Sequence, residues 1–311
     1  MRKLTAAQIR SKSSLVKKVM KHHFGVLPGG IEFKSTGLTN FVFEAHCKKE
    51  KYIIRIAGAT KELNDFIKEQ WAVEKAKEKG VPVAEILEVG SKIIGVPYML
   101  QHKLEGEEAL NHPDRLSILC ELGKYAKIIH SIPTTNYGEV FDWSKNLLSK
   151  NDSWKKYLEE DWKVPERIML LKKSNLITTA RFSKLQAAIT RVEKWNIKPA
   201  LNHGDLRLKN VIVDKKGKIV AIIDWDNCTS HMAPYWDLSI ALHDLSIDGK
   251  QHFLDGYGMN VNEYARLDYG IKVFNILNYT ETLERLMKQK DKVGLEHYRL
   301  RLNGHFDLFS F

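Results

Sequence analysis

The stretch from Leu201 to Asp226, LNHGDLRLKNVIVDKKGKIVAIIDWD, restricts this chain more than any other. Two short apolar runs, Val211-Ile212-Val213 and Ile219 to Ile223, flank the turn Asp214-Lys215-Lys216-Gly217, so the segment reads as polar loop, strand, hairpin turn, strand. A hairpin returns both of its ends to one edge. Asn210, just before the first strand, and Asp224, just after the second, are therefore expected side by side, with Asp205 one loop-width away. A carboxylate and a carboxamide in that position are hard oxygen donors suited to Mg2+, and a further aspartate on the preceding loop is suited to orienting or deprotonating a hydroxyl. Phosphoryl transfer needs these parts.

The chain has 311 residues, 43% of them hydrophobic, which exceeds what one core usually supports and predicts two lobes. The three cysteines, Cys47, Cys120 and Cys228, are scattered and form no CxxC, which argues against a disulfide framework and a zinc site and points to a reducing cytoplasm. No apolar run approaches the length of a membrane helix, so a soluble protein with no membrane partner is expected. Residues 1–24 carry seven Lys or Arg and no acid, a composition shared with mitochondrial presequences. Ile9, Leu15, Val16, Val19 and Met20 nevertheless form a helical stripe there, which predicts a first helix of the fold. The formal net charge of +11 is concentrated in the same segment, and no zinc finger or RNA-binding signature occurs, so a solvated helix face is expected and no nucleic-acid partner.

His203-Gly204-Asp205 followed by Asn210 resembles the HGDxxxxN catalytic loop of the aminoglycoside phosphotransferase and choline kinase family, within the protein-kinase-like superfamily. Ile223-Asp224-Trp225 resembles that family's form of the kinase DFG element, and the overall pattern is similar to the hygromycin type. The resemblance implies an α+β, bilobal kinase-like fold: an N-lobe with an antiparallel sheet and a helix, and a mainly helical C-lobe. It implies a nucleotide-binding lobe over 1–103, and a lobe over 104–311 with the catalytic loop, metal site and acceptor site. It also implies ATP, or GTP, with Mg2+. Asp205 takes the role of base, and Asn210 and Asp224 that of metal ligands. His203 takes a structural role, Arg207 stands near the γ-phosphate or on the surface, Asp226 lines the acceptor site, and Asp237 braces the loop from a helix.

Ile31 to Ala57 alternates as three antiparallel strands, with turns at Ser35 to Asn40 and Lys48 to Lys51. The first turn resembles the family's GxxN loop over the nucleotide phosphates, through Gly37 and Asn40. Arg55 stands alone among apolar residues of the third strand, either on the solvent face or in the slot where kinases keep a phosphate-binding lysine paired with a helix glutamate. The helix from about Lys61 to Lys79 carries Glu69 and Glu74 as candidates or as solvated charges; the resemblance to the family's helix implies Glu69 as that partner, with Glu74 as the fallback. After strands over 86–89 and 96–101, the segment 101–106 resembles the hinge, which implies base recognition by the main chain of Gln101, His102 and Lys103.

Helices are expected over 116–130, around 154–161, and over 178–195, 235–245 and 261–288, with Trp154, Trp162, Trp195 and Trp236 in the core. If the acceptor is an aminoglycoside-type polycation, Glu159, Glu160 and Asp161, with Asp244, Asp248 and Asp255, are either its acidic walls or solvated helix faces. Two other functions stay open: a kinase for an endogenous metabolite such as a sugar, a choline-like amine or homoserine, and a silent nucleotide-binding module. Intact Asp205, Asn210 and Asp224 argue against the last. The expected partners are a nucleotide and a small hydroxyl acceptor, and the chain is expected as a monomer or homodimer.

Overall fold

Residues alternating in and out from Gly30 to His102 build one antiparallel sheet: β1 (Gly30–Lys34), β2 (Asn40–Cys47), β3 (Glu50–Ala57), β4 (Ile86–Gly90) and β5 (Tyr98–His102), in the order β1-β2-β3-β5-β4. The structure, a computed structural model, describes residues 5–34, 40–58, 62–145 and 147–308. Phe43, Ala45, Tyr52, Ile54, Ile56 and Leu100 form one apolar face of the sheet, and α1 (Ala6–Phe24) covers it with Val16, Val19 and Met20. The basic N-terminal segment is thus a helix of the fold. Thr5 starts it, its hydroxyl accepting from the N–H of Gln8 at 3.2 Å, and Gly25 ends it at φ 73°. Strand register puts Val42, Arg55 and Met99 in one row on the opposite face and Glu44, Ile53 and Gln101 in the next. The second helix, α2 (Leu63–Glu78), packs Phe66 there against Ala57 and Met99.

The chain continues through β6 (Glu107–Glu108), α3 (Arg115–Ile129), α4 (Trp154–Lys156), α5 (Val164–Ser174), α6 (Thr179–Glu193) and β7 (Ala200–Asn202). The hairpin β8 (Val211–Val213) and β9 (Ile219–Ile222) follows, then β10 (Thr229–His231), α7 (Tyr235–Ala241), α8 (Ile247–Tyr257), α9 (Val261–Gln289) and α10 (Lys292–Leu308). A five-residue π-helical turn, Tyr157–Asp161, extends α4. The result is an α+β fold with an antiparallel N-terminal sheet and a mostly helical C-terminal part.

Two compact units emerge, Met1–Ile118 with Arg207–Cys228, and Leu119–Leu206 with Thr229–Phe311. This grouping differs from a division at 103/104, because the hairpin packs with the N-terminal unit. β6 pairs with β8, and the N–H of Ile222 donates to Pro82 O at 2.8 Å, so backbone bonds tie the hairpin to that unit.

In the second unit, β7 pairs with β10, and α9 carries the core residues Val273, Phe274, Ile276 and Leu277. Trp154, Trp162 and Trp236 are buried around Phe274, as core residues, while Trp195 is half-buried against Tyr235. Gly256 and Gly123 let α8 and α3 touch backbone to backbone: a Cβ on Gly256 would lie 1.8 Å from Cys120 O, and one on Gly123 2.1 Å from Phe253 O. Three helices, α5, α8 and α10, were not expected from the sequence. Pro165, which reads as a break, occupies the first turn of α5, where no N–H is needed, and glycines interrupt the pattern of α8 and α10.

Candidate active site

In the second unit, β7 delivers His203-Gly204-Asp205 onto a buried carboxylate. Asp237, fully buried on α7, accepts from the N–H of His203 at 2.7 Å and from that of Gly204 at 2.8 Å. Its own N–H donates to Asn202 Oδ1 at 3.3 Å. Gly204 sits at φ 82°, a conformation that favours glycine, and the loop could not present two successive N–H groups so easily with a side chain there. His203 Nδ1 then accepts from the N–H of Asp205 at 3.2 Å. His203 is thus a structural hydrogen-bonder, and Asp205 follows with 6% of its surface exposed.

Behind Asp237, His130 Nε2 lies 3.0 Å from the carboxylate, and the Tyr257 hydroxyl lies 3.0 Å from His130 Nδ1. Burial works to raise the Asp237 pKa, but bonds from His130 and the Gly204 N–H, with the charge of His203, hold it below the usual aspartate value. Sequence reasoning missed His130 and Tyr257; a lone histidine at a helix end and a tyrosine beside a glycine give no periodic signal.

The first unit holds the other predicted groups. The N–H of Ile223 donates to Asn210 O at 2.9 Å, so the hairpin ends meet and Asn210 and Asp224 adjoin. Asn210 is buried, while Asp224 is exposed in a left-handed backbone conformation at φ 64°, which turns the chain from β9 into the 3-10 turn Trp225–Asn227. Trp225 is buried there and donates from Nε1 to Ile222 O at 3.0 Å, and Asp226 is half-buried. Arg207 is half-buried, and its carbonyl accepts from the N–H of Asn210 at 2.8 Å.

On the sheet, Arg55 Nη1 donates to Glu69 Oε1, with side chains only 11% and 4% exposed. Glu69, and not the exposed Glu74, is the partner. Burial alone would lower the Arg55 pKa, yet Glu69, Asp226 and Asp224 raise it. Burial raises that of Glu69, and Asp226 and Asp224 add to the rise against the pull of Arg55. Both hairpin-end aspartates thus act on the pair. Glu69 Oε2 and Asn40 Oδ1 are buried without a hydrogen-bond partner among the described residues. Gly37 lies outside the described residues.

At the end of β5, the N–H of His102 donates to Glu85 O at 3.0 Å and that of Lys103 to Lys51 O at 2.9 Å, so these two main-chain donors are already engaged. Gln101 stands opposite Ile53.

The residues fit Mg2+ in kind. Asp224 and Asn210 offer oxygen donors, and Mg2+ typically takes one or two carboxylates together with phosphate and water oxygens. Among the described residues no trio of His, Cys, Asp or Glu forms a closed cage.

The candidate acceptor residues separate. Glu159 is exposed and pairs with Lys155 at 3.7 Å, and Glu160 is exposed. Asp161 accepts from Asn151 Nδ2 at 2.6 Å and lines an open pocket with Lys163, Glu166, Arg167, Glu281 and Glu284. Asp226 belongs to the other unit. Asp244, Asp248 and Asp255 are exposed. No helix among the described residues is long and apolar enough to cross a membrane.

The fold recurs in solved structures. Aminoglycoside phosphotransferase APH(4)-Ia aligns over 96% of this chain and 100% of its own, with a TM-score of 0.72 at 13% identity. A thermostable mutant of the same enzyme, in a ternary complex with AMP-PNP and hygromycin B, gives a TM-score of 0.70 at 13% identity, over 95% and 98% of the two chains. Macrolide 2'-phosphotransferase type I gives 0.64 at 15% identity, over 97% and 99%. No curated protein sequence matches. The profile of the phosphotransferase enzyme family (APH) matches residues 31–269, most of the chain. The chain therefore belongs to the aminoglycoside phosphotransferase family of enzymes.

Proposed function

We propose that this phosphotransferase moves the γ-phosphoryl group of ATP, or alternatively GTP, to a hydroxyl of a small molecule of the aminoglycoside type, with Mg2+ held by Asn210 and Asp224. The observation that carries this reading is the junction of the hairpin ends, where the Ile223 N–H to Asn210 O bond puts Asn210 beside Asp224, within one motif of Asp205. Asp205 accepts the proton of the attacking hydroxyl, and its loop is held in advance by Asp237, so little reorganisation is left to the reaction. Arg55, aimed by Glu69, binds phosphate oxygens together with the loop of Gly37 and Asn40, and the main chain of residues 101–103, through groups other than the engaged N–H of His102 and Lys103, contacts the base. Arg207 stabilises charge on the transferred group. When bound, the metal offsets the charge of the phosphates.

The acceptor class draws support from the hygromycin B and kanamycin complexes of the structural neighbours. It also draws on the pocket at Asp161, which Glu166 lines as well, while Glu281 and Glu284 there are paired with Arg167 and Lys288. Asp226, Glu159 and Glu160 are the further acidic candidates for the acceptor. Lys163 in the same wall favours a second reading, an endogenous metabolite that is neutral or anionic, since Arg167 is taken up by Trp162 O, Leu277 O and Glu281. The free cysteines fit a cytoplasmic enzyme. An ATP-consumption panel of aminoglycosides and common metabolites tests the reading, with Asp205→Asn as the blank. A polycationic substrate gives an apparent KM that rises with salt, because screening weakens its attraction to carboxylates. A KM indifferent to salt selects the metabolite, and no turnover on any hydroxyl compound rejects the reading.

A further inference from the structure

A buried carboxylate on the sheet has no role in the reading above. Glu44 on β2 is 3% exposed, on the same face of the sheet as Arg55, one row further along. A lone buried carboxylate is costly, and three bases compensate this one. Lys103 Nζ approaches Oε2 at 2.9 Å, Lys34 Nζ approaches the same oxygen at 3.2 Å, and His46 Nε2 approaches Oε1 at 3.0 Å. These bonds, Lys103 foremost, hold the Glu44 carboxyl down at about 2, so it stays ionised at any working pH.

The cluster ties together three parts of the sheet. Lys34 ends β1, and Lys103 directly follows β5, with its main-chain N–H bonded to β3 through Lys51 O. Glu44 stands opposite Ile53, and Ile53 opposite Gln101. Two residues along a strand cover about 7 Å, so with phosphates at the Arg55 row the sugar and base of a nucleotide fall at the row of Glu44, Ile53 and Gln101. The charge lock therefore borders the base end of the face and leaves the phosphate end to Arg55 and Glu69.

We propose that Glu44 is the positioning residue for nucleoside recognition: through Lys103 and Lys34 it clamps the end of β5 to β1 and β2, and so sets the surface on which the base lies. This rests on the reading that the Arg55 face binds a nucleotide. Two probes separate the ends of the site, MgADP and magnesium tripolyphosphate, which lacks sugar and base. Calorimetric titration of Glu44→Gln and Lys103→Met is expected to show ADP bound about tenfold more weakly, with tripolyphosphate within about twofold of the wild type. Glu32→Gln, which removes only an exposed partner of Lys34, changes neither. If Glu44→Gln fails to fold, Lys103→Met decides from the other side of the pair. The proposal is overturned if ADP affinity is unchanged, or if both probes weaken equally, which marks a general loosening of the sheet. Arg55→Ala weakens both probes; if it weakens neither, the nucleotide reading itself is what has failed.

Discussion

The two units hold their functional groups by different means. In the second, the loop of His203 to Asp205 rests on a buried acid: Asp237 takes the N–H groups of two successive residues and the ring of His130, and its geometry is complete within the protein. In the first, charged side chains hold one another. Arg55 and Glu69 pair under the influence of Asp224 and Asp226, while Glu69 Oε2 and Asn40 Oδ1 stay unsatisfied among the described residues. Backbone bonds to a buried acceptor fix position without a ligand. Side-chain ion pairs with spare acceptors leave a region able to respond to one. The proposed base on its loop gains from the first arrangement, and the face proposed to receive phosphates and metal gains from the second.

The largest effects separate chemistry from binding. Asp205→Asn is expected to lower turnover by roughly 10²-fold or more while nucleotide affinity stays near wild type, since Asn210 and Asp224, the proposed metal ligands, remain. Asp224→Ala is expected to abolish Mg2+-dependent nucleotide binding, read by titration with and without chelator. Wild-type phosphorylation by both variants would end the assignment of the two roles.

Asp237→Asn tests the preformed loop. It removes the charge that compensates His130 and the two N–H groups, and is expected to cost about 3 kcal/mol in a urea unfolding series as well as turnover. A variant that lost turnover with an unchanged unfolding midpoint would make Asp237 a participant in the chemistry instead of a brace. The Asp237 pKa is depressed, so its contribution is present above the unfolded aspartate value and is lost as pH falls through the folded one.

A milder, pH-dependent effect falls in the same unit. His231 is fully buried among Trp154, Trp162, Trp236 and Phe274, and burial pushes its pKa down to about 3, against opposing pulls from the Met232 backbone and from Asp237. The folded state then binds fewer protons than the unfolded state between about pH 6.5 and 3. Stability is expected to fall on acidification by about 1 kcal/mol per pH unit across that window. His231→Phe should flatten the slope in thermal melts between pH 5 and 7. The smallest expected change is Gly304→Ala, where a Cβ meets nothing within 4 Å, against Gly256→Ala, which drives a Cβ into Cys120 O. The first should stabilise α10 slightly and the second destabilise by about 2 kcal/mol, read from the same melts.

Local sequence was enough to determine the hairpin, the three-strand meander and the first helix, because each depends on short-range alternation, turn chemistry or helical stripes, while Glu69 as the partner of Arg55 was legible only through the family resemblance. The reach of the hairpin toward Pro82, the link from Asp237 through His130 to Tyr257, and the gathering of Lys34, Lys103 and His46 on Glu44 were decided by tertiary structure. In those cases the partners are far apart along the chain. No periodicity records which distant donor reaches a buried acid. Residue types declare that a carboxylate at Glu44 or Asp237 must be compensated if buried; only the packed fold determines that it is buried, and by which groups it is met.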